Sequence, residues 1–179
     1  PSRSARRLPR GSGARRPISP RWTSRREAGR ATRYHLSVNN CIFCRIVRGE
    51  IPAMKVYEDE MTLAFLDVQP VHAGHTLVVC KSAAASNVLD ISVDEWRALA
   101  ESVRIVAAAV ERATAAGGIN ILMNNRSHAG QVIDHAHVHL IPRFEGDGLE
   151  HWQKSPVAKD ELTTVAEKIR AALVRGASR

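Results

Sequence analysis

The chain has 179 residues, 44% of them hydrophobic, and a formal net charge of +8. No apolar run reaches the roughly 18 residues of a membrane-spanning helix, and three cysteines are too few and too odd in number for a disulfide scaffold. A basic balance suggests a nucleic-acid partner, but the charge is unevenly spread. Residues 1–40 hold 11 Arg, no Lys and one acidic residue, Glu27, for a net of +10. Residues 41–179 hold 15 Lys and Arg against 17 Asp and Glu, for a net of −2. The excess therefore argues for nothing about residues 41–179, and nucleic acid is not expected as their partner.

Residues 1–40 are rich in Arg, Ser, Gly and Pro and lack apolar periodicity, so the sequence reads as a disordered basic extension. Three purposes fit it: an unselected extension upstream of the true start, an organelle transit peptide, or a basic arm for nucleic acid or anionic lipid. A secretory signal is not expected, because no apolar stretch follows the basic residues.

From Cys41 onward the pattern is that of one α+β domain, residues 41–179. Phe43 to Val47 reads as a short helical turn ending near Gly49. Lys55–Glu58 and Thr62–Leu66 read as strands around an acidic turn, Asp59-Glu60. His75–Cys80 follows as a third strand. Trp96, Leu99, Val103, Val106 and Val110 then recur at helical spacing. Ser92-Val93-Asp94-Glu95 forms a capping box at the start of that helix, and Gly117-Gly118 punctuates its end. Ile119–Met123 and His135–Ile141 read as strands joined by a polar loop, the last ended by Pro142. Leu162, Val165, Ile169 and Leu173 mark a C-terminal helix. This order predicts a mostly antiparallel sheet with a long central helix and a C-terminal helix.

His135-Ala136-His137-Val138-His139-Leu140-Ile141 carries the chemistry. On a strand, alternate side chains share a face, with Cβ atoms about 6.5–7 Å apart. The three imidazoles then line one face, suited to neighbouring parts of a small anionic substrate, while Ala136, Val138 and Leu140 enter the core. On residue types alone, a nucleophilic histidine and a metal site compete evenly. A metal hydrolase usually adds carboxylates, and only Asp134 is adjacent, facing the opposite side.

The segment resembles the histidine triad (HIT) motif, His-φ-His-φ-His-φ-φ. Cys41-Ile42-Phe43-Cys44-Arg45-Ile46, Gly49-Glu50-Ile51-Pro52 and Val56-Tyr57-Glu58-Asp59 resemble the family's N-terminal signature. Ala64-Phe65-Leu66-Asp67 and Gly74-His75-Thr76-Leu77-Val78-Val79 resemble its nucleoside-side strands. Asn124 and Ala129-Gly130-Gln131 precede the triad at the family's spacing. Pro142-Arg143, Gly146-Asp147-Gly148 and Trp152 resemble the bacterial Hit branch, close to the Hint group. The likeness runs over about residues 41–175. It implies the HIT fold, with two half-sheets joined in a homodimer.

The resemblance also implies an activity: hydrolysis of purine nucleoside monophosphate derivatives, phosphoramidates or related compounds, at the α-phosphorus. The intermediate would be a nucleotidyl-histidine on His137, with the imidazole held neutral by a hydrogen bond to its second nitrogen. His139 and His75 would contact phosphate oxygens, and His135 would buttress the nucleophile. Asn124 and Gln131 match phosphate-contacting positions, and Asp67 the ribose carboxylate. Ile42, Phe43, Ile46, Phe65, Leu66 and Val68 match the surroundings of the base. Dinucleoside polyphosphate hydrolysis, or a nucleotide-binding regulatory module with little turnover, are the alternatives. The latter is favoured by Val132, which stands where the family commonly has Ser or Thr and cannot donate toward the scissile bond.

No cofactor is required by this scheme. In some bacterial relatives the paired cysteines, a further His and the first triad His hold zinc. Here Cys41, Cys44 and His135 remain while Ala83 occupies the expected His position, with Cys80 a possible substitute. A thioredoxin-like reading of Cys41-x-x-Cys44 lacks its βαβ context. His72 and His128 read as solvated loop residues, and His151 beside Trp152 as part of the C-terminal segment. Reduced thiols fit a cytoplasmic setting, or an organelle if residues 1–40 are a transit peptide.

Overall fold

The computed structural model describes residues 41–82, 86–149 and 155–176. The basic extension, Ala83, His151 and Trp152 lie outside them. The described residues form two compact units, divided between Pro142 and Arg143.

In the first unit, helix α1 (Ile42–Val47) opens on Cys41, whose sulfur accepts the Cys44 N–H. Strands β1 (Lys55–Glu58), β2 (Thr62–Leu66) and β3 (Thr76–Cys80) follow, then helix α2 (Val93–Thr114), β4 (Gly118–Leu122) and β5 (His137–Arg143). The sheet order is β1-β2-β3-β5-β4. β2 pairs antiparallel with β1 and β3, and β3 antiparallel with β5. This is the α+β, largely antiparallel architecture expected.

Strand alternation gives the sheet two distinct faces. Ala64, Val78, Cys80, Val138 and Leu140 meet Leu99, Val106, Ala107 and Val110 of α2. On the opposite face Leu63, Phe65, Leu77 and Val79 pack with Phe43 and Ile46 of α1. α2 starts with the reciprocal box expected: the Glu95 N–H donates to Ser92 Oγ at 3.2 Å, and the Ser92 N–H to Glu95 Oε2 at 2.8 Å. Asp59 anchors the β1–β2 turn to α2, since its Oδ2 accepts from Ser102 Oγ at 3.0 Å while Ser102 and Thr62 hydroxyls lie 2.7 Å apart.

Four expectations are corrected. α2 ends at Ala115, which takes the left-handed conformation (φ 52°) and returns its N–H to Glu111, so Gly117-Gly118 are not its cap. Trp96 stays 40% exposed, because it sits in the first turn beyond the sheet-covered stripe. β3 begins at Thr76 rather than His75. β5 runs His137–Arg143 rather than His135–Ile141. Pro142 is tolerated because it lies past Thr76↔Leu140, the final pair of the β3–β5 ladder.

In the second unit, Asp147 accepts from Arg143 Nε and Nη2 at 2.7 and 2.8 Å and from the Phe144 and Leu149 N–H groups. Helix α3 (Lys159–Gly176) carries the predicted apolar stripe, Leu162, Val165, Ile169 and Leu173, all exposed. Among the described residues no helix is long and apolar enough to cross a membrane.

Candidate active site

The β3–β5 register fixes where the histidines go. Val79 opposes His137 and Leu77 opposes His139, so both imidazoles share the α1 face of the sheet. Phe43 connects helix to triad, its ring edge-on to His137 at 5.2 Å and to His135 at 5.9 Å between centroids. His135 and His137 are buried and His139 is half-buried.

The His137 tautomer follows from a backbone contact. Nδ1 lies 2.6 Å from the His135 carbonyl oxygen. A carbonyl only accepts, so Nδ1 carries the proton and the Nε2 lone pair is bare. Burial lowers the His137 pKa from its ordinary value, outweighing the opposing effect of that carbonyl. At neutral pH the ring is an uncharged base with one free nitrogen.

His139 is set by a longer relay. The Val71 N–H donates to His75 Nδ1 at 3.2 Å, while Asp67 Oδ2, at 3.6 Å from the same nitrogen, is beyond hydrogen-bond reach. His75 Nδ1 is therefore an acceptor, and His75 Nε2–H donates to His139 Nδ1 at 2.9 Å. His139 then holds its proton on Nε2. Burial, then the neighbouring His137 and His75, lower the His139 pKa to about 4. His75 is likewise lowered by burial, against the pull of Asp67. The result is a neutral donor on His139 beside a neutral His137 ring with a bare nitrogen, their centroids 5.0 Å apart.

Around these rings, Phe65 packs edge-on to Phe43 at 5.6 Å, Ile46 is buried with them, and Ile42 is exposed. Val68 is exposed and Leu66 half-buried. Asp67 Oδ1 accepts the Gln69 N–H at 2.9 Å. In the loop before the triad, Asn124 Nδ2 donates to the Gly130 carbonyl at 3.4 Å. Gln131 Oε1 accepts the Arg126 N–H at 2.6 Å, and Nε2 donates to the Ser86 and Ile133 carbonyls. Its amide is thus occupied in bracing the loop. Val132, next to it, is 89% exposed. His72 is half-buried rather than solvated.

Behind the triad, His135 presents Nδ1 to two sulfurs, Cys41 Sγ at 3.5 Å and Cys44 Sγ at 3.4 Å. Its Nε2–H donates to the Cys80 carbonyl at 2.7 Å. Burial pushes the Cys41 thiol up, but its contact with His135 Nδ1 and the hydrogen bond it accepts from the Cys44 N–H outweigh it and bring the pKa to about 7. Cys44 is pushed up to about 12, by burial and then by Cys41.

The donor set bears on zinc. Cys41, Cys44 and His135 offer ligand atoms within 4.8 Å of one another, and the second nitrogen of His135 is anchored as a metal-bound imidazole requires. A closed structural site takes four such donors. Ala83 has none to give, and Cys80 gives His135 its carbonyl, its own sulfur lying on the α2 face. Among the described residues the set therefore falls one donor short of a closed zinc site. A second group, Asp67, His75 and His139, also clusters and shares His139 with the triad.

Sequence reasoning expects a backbone carbonyl near the triad to hold His137, and it is that of His135, but it missed the Cys80 carbonyl and the Val71 N–H that set the other two rings. Backbone atoms carry no residue-type signal, so only the fold reveals them.

A HIT domain family profile matches residues 48–146, more than half of the chain. The chain belongs to the HIT family. Over 124 residues it is 38% identical to the adenylylsulfatase HINT3 of Arabidopsis thaliana, covering 69% of this chain and 61% of that one. It thus spans about three fifths of that relative. It is 36% identical over 141 residues to the adenosine 5′-monophosphoramidase HNT1 of Candida albicans, covering 76% and 93% of the two chains. Among solved structures, a HIT family protein of Bacillus subtilis superposes with a TM-score of 0.68 at 38% identity, covering 74% and 96%. A zinc-bound HIT family protein of Mycobacterium smegmatis superposes with a TM-score of 0.60 at 33% identity, covering 79% and 98%.

Proposed function

We propose that this HIT protein hydrolyses purine nucleoside monophosphate derivatives, phosphoramidates foremost, through a nucleotidyl intermediate on His137. The observation that carries the proposal is the 2.6 Å contact from His137 Nδ1 to the His135 carbonyl. It frees Nε2 for in-line attack at the α-phosphorus and takes up the positive charge the ring acquires as the P–N bond forms. The leaving group departs with the electrons of its bond to phosphorus. Water then attacks the same phosphorus, the bond to Nε2 breaks, and neutral His137 returns. His139, its proton on Nε2, donates toward a phosphate oxygen and steadies charge in both steps. Asp67 would accept from the ribose hydroxyls, with Phe43, Phe65, Ile42 and Ile46 forming the wall beside the base. Asn124 and Gln131 shape the phosphate-side loop. Two relatives named as a monophosphoramidase and an adenylylsulfatase support the substrate class.

The chemistry needs no metal. A homodimer is supported by β4, which lies at the edge of the sheet with Ile121 exposed. The three reduced thiols support a cytoplasmic setting.

One observation favours a second reading, a nucleotide-binding module with little turnover: Val132 puts an exposed isopropyl group beside Gln131 where the family commonly has a hydroxyl. A hydrolysis panel of adenosine phosphoramidates and dinucleoside polyphosphates, with and without residues 1–40, separates the readings. Turnover of phosphoramidates that His137→Ala abolishes supports the enzyme. AMP binding without turnover of any ester, amide or anhydride supports the module.

A further inference from the structure

The cysteine pair behind the triad has a use that the hydrolytic scheme leaves open. Cys41 and Cys44 converge on one nitrogen, His135 Nδ1, at 3.5 and 3.4 Å, and their sulfurs lie within 4.8 Å of each other. A disulfide needs about 2.05 Å between sulfurs, and these two sit at the start of one helix, Cys41 as its cap and Cys44 in its first turn, with both sulfurs facing one nitrogen. The two differ in access: Cys41 is half-buried and Cys44 buried. Cys80, also buried, packs on the α2 face of the sheet, away from the pair. Among the described residues no fourth donor joins the pair and His135, so the pair is not locked into a closed zinc site.

We propose that Cys41 and Cys44 are a dithiol that exchanges with low-molecular-weight disulfides, Cys41 entering the reaction and Cys44 resolving it. Cys41 Sγ attacks one sulfur of a disulfide RSSR. A Cys41–S–S–R bond forms, and the first thiol leaves as RSH with the proton of Cys41, passed through His135 Nδ1. Cys44 Sγ then attacks Cys41 Sγ, the mixed bond breaks, and the second RSH leaves with the proton of Cys44. Two electrons pass from the two cysteine sulfurs to the reagent, and one intramolecular disulfide remains.

The same geometry makes the oxidised state reversible. In the reduced protein the sulfurs share protons with the buried Nδ1 of His135, and oxidation removes both sources. A disulfide that forms at the expense of a buried polar contact has a more oxidising potential than a structural one, and is readily reduced. The change occurs one ring away from the nucleophile, since Phe43 lies between the cysteines in sequence and edge-on to His137.

The test reads covalent state rather than turnover, so its outcome is independent of the proposed hydrolysis. The full chain, as purified, is incubated with glutathione disulfide, denatured, alkylated and mapped by mass spectrometry. Expected is joint loss of alkylation at Cys41 and Cys44, a mass lower by two hydrogens, and recovery in dithiothreitol, with Cys80 alkylated throughout. Cys44→Ser accumulates a glutathione adduct on Cys41, and Cys41→Ser forms an adduct on Cys44 about tenfold more slowly, as burial limits access. The proposal is overturned if Cys41 and Cys44 stay alkylatable in wild type, if the adduct in Cys44→Ser falls on Cys80, or if Cys41→Ser reacts as fast as Cys44→Ser.

Discussion

The relay from Val71 through His75 to His139 makes a prediction that two conservative substitutions decide. His75 accepts at Nδ1 and donates at Nε2, 2.9 Å from His139 Nδ1. Gln at position 75 reaches as far as Nε2 and keeps a donor for His139. Asn reaches only as far as Nδ1, keeps an acceptor for the Val71 N–H, and loses the donor. The difference is one neutral hydrogen bond, about 0.5–1.5 kcal/mol, or about two- to tenfold in rate if it is felt at the transition state. Steady-state kinetics on an adenosine phosphoramidate should show His75→Asn below His75→Gln by that factor in kcat, with KM little changed. Nitrogen-15 NMR of the wild type should place the His139 proton on Nε2. Equal kcat for the two variants, together with a proton on Nδ1 of His139, refutes the relay.

Four further outcomes are expected. Ser102→Ala removes a buried hydroxyl that serves both Asp59 and Thr62, and should cost about 1–3 kcal/mol in urea unfolding; a cost near zero would show the network to be idle. Val132→Ser replaces an 89% exposed side chain, so stability should hold while kcat rises about tenfold, the modest end for one added donor at an open site; an unchanged rate removes the argument for a low-turnover module. Because the His139 pKa is lowered to about 4, the unfolded chain binds the proton first as pH falls. Stability should therefore decline from about pH 6.5 to about pH 4 and, for this group, level off below. Urea midpoints across that range check the sign, and a midpoint rising toward acid contradicts it. The lowered His137 pKa likewise places the acid limb of the kcat profile below 6.5.

The face shared by His137 and His139 was legible from strand alternation, and so were β1 and β2 to the residue, because the acidic turn Asp59-Glu60 bounds two strand-forming runs locally. The limits of β5 were not, since whether Pro142 ends a strand depends on where the neighbouring strand stops. The helix end at Ala115 was hidden for a related reason: alanine has no preference of its own for the left-handed conformation (φ 52°) that it takes there. Cys41 and Cys44 were visible as a pair, but their joint approach to His135 spans more than 90 positions of sequence, and only the sheet brings them together. Gln131 shows the opposite case, a side chain whose type suggests phosphate and whose amide is committed to loop carbonyls and an N–H.

The central claim is that the free nitrogen of His137 forms a bond to phosphorus. Wild-type protein is mixed with an adenosine phosphoramidate, quenched within one turnover under conditions that preserve phosphorus–nitrogen bonds, and mapped by mass spectrometry. An adenylyl group is expected on the peptide bearing His137, formed in a burst and absent in His137→Ala, which also loses turnover. Full turnover by His137→Ala, or an adduct confined to another residue, would contradict it.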